Sequence, residues 1–100
     1  MTEQSTYMPP SYTQQEIDDL ASFIQARVKP LRDAADYGSE ERRAFEGILW
    51  LTPYMRGIAS WEIDSSKSPS TVFHCLAVIA RQWDDHPDFQ PSWAAGYERS

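Results

Sequence analysis

Apolar residues from Ile17 onward recur at steps of three or four: Ile17, Leu20, Ala21, Ile24, Val28, Leu31 and Ala35, with one adjacent pair. Wound as a helix they make one narrow stripe, and Asp18, Asp19, Gln25, Lys29, Arg32, Asp33 and Asp36 fall on the other side. Thr13-Gln14-Gln15-Glu16 fits a capping box, in which the hydroxyl takes a free amide and the glutamate reaches back. Pro30 removes the amide that would bond the Ala26 carbonyl, which predicts a kink, and Gly38 is a good stop.

The second helix is expected from about Ser39, a suitable N-cap, with Glu40 and Glu41 favourable at the positive helix end. Its periodicity differs. Phe45, Ile48, Met55 and Ala59 form one face, with Leu51 and Ile58 beside it, while Trp50, Tyr54 and Trp61 line up opposite, close to Gly47 and Gly57. A helix apolar nearly all round is either central or has a core face and a partner face. Pro53 interrupts it. With Thr52 as a cap the segment reads as two short helices, otherwise as one kinked helix.

Residues 62–68 read as a loop. Ser68 then caps a third helix that starts at Pro69, with Val72, Leu76, Ile79 and Trp83 as its stripe, flanked by Phe73, Cys75 and Ala80. Pro87 ends it by about Asp85. Phe89 and Trp93 are large apolar anchors on a Pro-containing tail, which predicts that the tail folds back on the helices. The expectation is an all-α fold: a small bundle of three main helices, about 13–37, 39–60 kinked at Pro53, and 69–85, with an extended C-terminal tail packed on it. Residues 1–12, with Pro9-Pro10, read as a flexible arm, and 13–100 as a single domain.

Composition narrows the function classes. The chain has 100 residues, with 9 Lys+Arg against 15 Asp+Glu and a net charge of −6. Phosphate neutralisation needs clustered Lys and Arg, so direct nucleic-acid binding is not expected. No apolar run approaches the ~20 residues of a membrane span, and residues 1–11 lack the regions of a signal peptide. A cytoplasmic protein is expected. One cysteine, Cys75, excludes an intramolecular disulfide framework and a Cys-rich zinc site.

Candidate chemistry is sparse. His86-Pro87-Asp88 resembles the tripeptide of J-domains, which stimulate Hsp70 chaperones. That family places it between two long helices after a strongly basic one, whereas here twelve residues follow Asp88 and helix 3 carries only Arg81. The plainer reading is a helix stop in which Asp88 bonds local amides. Asp84, Asp85, His86 and Asp88 lack calcium-loop and zinc spacing, so no metal site is assigned. Adjacent helical residues do not face each other, so His74 is not the base of a Cys75 thiolate; Cys75 reads as a buried small hydrophobe. No catalytic residue, cofactor or enzymatic activity is assigned.

The remaining feature is the stripe Trp50, Tyr54, Trp61. It reads either as core or as a binding face, because Trp and Tyr concentrate binding energy. The expected function is a small acidic protein–protein interaction module that takes a protein partner or forms a homodimer through these rings. An acidic decoy of a nucleic-acid-binding surface is the alternative, and a co-chaperone using His86-Pro87-Asp88 ranks below it.

Two segments carry a resemblance. Asp19-Leu20-Ala21-Ser22-Phe23-Ile24-Gln25-Ala26-Arg27-Val28 is similar to the opening helix of an uncharacterised family of small actinobacterial and actinophage proteins. The run Leu76 to Trp93, with its His-Pro-Asp-aromatic and following Trp, resembles that family's C-terminal end. The family's Pro-Gly-Pro-Trp stretch and Cys-x-x-Cys insert are missing, and the two segments cover under a third of the chain. The resemblance implies a cytosolic protein of a high-GC Gram-positive bacterium or its bacteriophage. It also implies that His86, Pro87, Asp88, Phe89 and Trp93 form a shared structural tail. It implies no activity.

Overall fold

The computed structural model describes residues 13–64 and 70–94. The expected arm, the Ser68 cap and the Pro69 start lie outside the described residues. Three α-helices follow in order: α1 (Gln14–Ala34), α2 (Glu40–Asp64) and α3 (Ser70–Ala80). Two 3-10 turns, Arg81–Trp83 and Pro91–Ala94, follow, and no strand occurs among the described residues. The protein is thus an all-α bundle of three helices.

Local chemistry sets the helix starts. Thr13 Oγ1 accepts the Glu16 amide at 3.1 Å, and the Thr13 amide donates to Glu16 Oε1 at 3.0 Å, closing the capping box. Ser39 Oγ accepts the Arg42 amide at 3.1 Å and so caps α2. Between them the chain reverses at Gly38, whose φ of 81° is a left-handed conformation that side chains with a Cβ disfavour. The Arg42 guanidinium closes the other side of this corner, donating to the Arg32 and Ala35 carbonyls at 3.3 Å.

α1 and α2 run antiparallel, fixed at both ends by cross-helix ion pairs. Arg32 Nη1 meets Glu46 Oε1 at 2.8 Å, and Arg56 Nε meets Asp18 Oδ1 at 2.7 Å. The Arg56 hydrogen bond, helped by one from Gln14, holds the Asp18 carboxyl below its ordinary value of 3.8. A carboxyl depressed on folding contributes stability above its unfolded pKa and loses it as pH falls through the folded value. Asp18→Asn is therefore expected to melt lower than wild type at neutral pH, with the gap closing as pH falls below 3.8. Thermal midpoints from pH 3 to 7 check this, and a gap independent of pH contradicts it.

The core is built on α1. Ile17, Leu20, Ile24 and Val28 are wholly buried and meet Ala59 of α2 and Phe73, Leu76, Ala77 and Ala80 of α3. Phe45, Ile48, Leu49, Met55 and Ile63 of α2 pack at its margin.

Several expectations are corrected. Of the two readings of α2 the single helix holds through Pro53, and what changes is its end, which lies at Asp64 and not near residue 60, with Ile63 still packed on the core. Thr52 is not a cap: it is fully buried, and its hydroxyl donates to the Ile48 carbonyl at 2.7 Å within the helix. Leu51, Ile58 and Leu31 are exposed rather than packed. The buried face of α3 is turned by about one residue from the expected stripe, towards Phe73, Leu76, Ala77 and Ala80. Its alanines Ala77 and Ala80 join the core, and the rotation carries Cys75 out to solvent instead of into it. α3 ends at Ala80, and the chain tightens into the 3-10 turn before Pro87 is reached.

Candidate functional site

α2 presents two apolar faces. The inward one carries Phe45, Ile48, Thr52, Met55 and Ala59. On the outer one Trp50 is 68% exposed, Tyr54 69% and Trp61 57%, with Leu51 and Ile58 beside them. Gly47 and Gly57 belong to the same outer stripe, and the whole set spans an arc of about 120° at 3.6 residues per turn. The expected partner residues Trp50, Tyr54 and Trp61 are thus brought together on one rigid helix, facing away from the bundle.

Polar groups border the stripe. Arg43 is exposed at its N-terminal end and Asp64 at its C-terminal end. Along one flank, a groove of about 370 Å³ separates α1 from α2, where Lys29 and Arg32 face Glu46, Trp50 and Pro53. Arg32 is held there by Asp33 at 2.7 Å and Glu46 at 2.8 Å, and these hydrogen bonds, Asp33 first, raise its pKa further. A second hollow lies between Trp50, Pro53 and Tyr54.

The tail builds a separate cluster on the opposite flank of α1. Phe23 is its centre: the Trp93 ring lies 5.1 Å from it, His86 5.6 Å and Phe89 6.1 Å. Phe89 and Trp93 meet edge to face at 5.4 Å. Arg27 stacks over the Phe23 ring at 5.6 Å and touches His86 Nε2 through Nη1. The other ring nitrogen, His86 Nδ1, accepts the Asp88 amide at 3.0 Å. That bond comes from the backbone of Asp88, not from its carboxylate as expected. Arg81, only 5% exposed, donates from Nε to the Trp93 carbonyl at 3.1 Å and anchors the end of the tail. His86, Asp88, Phe89 and Trp93 are therefore occupied in packing or turning the chain, while Pro87 is exposed in the turn between them.

Phe23, Arg27 and Arg81 were not among the expected site residues. Phe23 and Arg27 are one turn apart and flank the α1 stripe, so only a second element could bury them. Nothing in the local sequence pattern marks Arg81, in the 3-10 turn after α3, as the anchor of the tail. His74 and Cys75 are both exposed on α3, and among the described residues no three His, Cys, Asp or Glu side chains converge on a common point. No described helix is long and apolar enough to cross a membrane. No family model matches the chain, and no curated protein or solved structure matches it either.

Proposed function

We propose that the chain is a protein–protein interaction module whose binding surface is the Trp50, Tyr54 and Trp61 face of α2. The carrying observation is the exposure of three large rings in register on one helix, at 68%, 69% and 57%. Trp and Tyr supply large contact areas with few rotatable bonds, which is why they dominate binding hot spots. A contiguous apolar patch of this kind exceeds the scattered exposure that soluble monomers usually show. The helix beneath it is held to α1 by the core and by ion pairs at Glu46 and Arg56, so little ordering of the backbone remains to oppose binding.

The acidic-decoy alternative requires carboxylates spaced along a face like phosphates. Asp18, Asp33 and Glu46 instead have arginine partners. The two readings separate by experiment. Immobilised wild type is expected to retain a protein ligand, a free copy of its own chain included, from an extract of cells that produce it, in high as well as low salt. The Trp50→Ser, Tyr54→Ser variant is expected to lose it while remaining helical. Retention that collapses with salt and ignores the substitutions overturns the aromatic face in favour of an acidic surface.

A further inference from the structure

We infer that, given the interaction-module reading on which this rests, the occupant of the α2 stripe is a second copy of the same chain, packed antiparallel about a two-fold axis that crosses the outer face between Tyr54 and Gly57. Three observations meet in this arrangement. The first is size. The five exposed apolar side chains present roughly 600 Å², on the scale of about 150–250 Å² carried by an aromatic ring. That is most of the ~800 Å² per partner that a stable interface uses.

The second is shape. Gly47 and Gly57 sit inside α2, where glycine destabilises a helix relative to alanine. Among the described residues nothing demands it, because an added Cβ at either position meets none of their atoms within 4 Å. Both glycines nevertheless lie on the stripe. Run antiparallel, Tyr54 comes over Gly57 of the partner subunit, and Trp50 meets Trp61 of the partner subunit. Each contact occurs twice, as a self-complementary interface requires.

The third is charge. Exposed Arg43 and exposed Asp64 bracket the stripe at opposite ends. In this register antiparallel pairing brings each Arg43 to about one helical turn, roughly 6 Å along the axis, from the level of Asp64 of the partner subunit, a gap that the long Arg side chain can span. Parallel pairing would set like charges together, and it would also align the two helix dipoles unfavourably.

Light scattering of the full chain across a wide concentration range tests this. Wild type is expected to be a dimer. Gly57→Gln, which adds a good helix former where the monomer has open space, is expected to be a helical monomer. Arg43→Asp is expected to weaken the dimer about tenfold, and Arg43→Asp with Asp64→Arg to restore it, since an exposed ion pair made twice is exchanged for two repulsions and back. The charge pair tests the arrangement even if Gly57→Gln fails to fold. A wild-type monomer at every concentration overturns the inference. If that monomer still retains a protein ligand through its rings, the interaction-module reading survives without the second copy; if it retains none, both fail. A dimer indifferent to Gly57→Gln and to the charge exchange places the interface elsewhere and also overturns it.

Discussion

Trp93→Ala is expected to cost about 3–5 kcal/mol, the usual range for truncating a buried aromatic ring. Trp93 is 2% exposed and contacts both Phe23 and Phe89. Its loss uncovers the α1 flank as well as the tail, and its backbone carbonyl no longer has an ordered position in which to receive Arg81. Domains of this size hold about 5–15 kcal/mol in total, so the denaturant midpoint should fall sharply. Trp93→Phe should keep most of the stability. The indole nitrogen is buried without an acceptor among the described residues, so deleting it sacrifices no bond seen there. A midpoint unchanged in Trp93→Ala contradicts the tail's place in the core.

Ile24→Ala is expected to cost about 2–5 kcal/mol, because the side chain is wholly buried in the core cluster shared by the three helices. Leu31→Ala on the same helix should cost far less, since Leu31 is 40% exposed. Both residues belong to one helical stripe in the sequence, so the pair separates burial from pattern. Equal losses in urea denaturation of the two variants contradict the packing described.

That pair also shows how far the sequence could be read. Local signals were legible: the Thr13–Glu16 box, the Ser39 cap, the Gly38 reversal and the inward positions Ile17, Leu20, Ala21, Ile24 and Val28 of α1 each rest on chemistry within a few residues. So was the division of α2 into two faces, because Trp50, Tyr54 and Trp61 keep helical register opposite Phe45, Ile48 and Met55. The face of α3 was not legible. Its residues are apolar almost all round, and only the depth of neighbouring helices selects Ala77 and Phe73 over Val72 and Ile79. For the same reason Cys75 could not be placed by periodicity. Phe23 escaped notice because its cover arrives from residues far along the chain. Thr52 beside Pro53 imitates a helix start, and only its burial and its bond to Ile48 distinguish the two roles.

The distance along the chain between the tail and its dock has a kinetic consequence. Arg27 and His86 lie 59 residues apart, whereas α1 and α2 meet across a short corner at Gly38. Closing the longer loop requires a larger loss of chain entropy before any contact rewards it. On these grounds the α1–α2 hairpin is expected to nucleate folding and the aromatic clasp on Phe23 to form late. Contacts absent from the transition state act on the way out rather than on the way in. The destabilisation in Trp93→Ala should therefore appear as faster unfolding, with the refolding rate nearly unchanged, which makes the tail the latch that sets the lifetime of the native state.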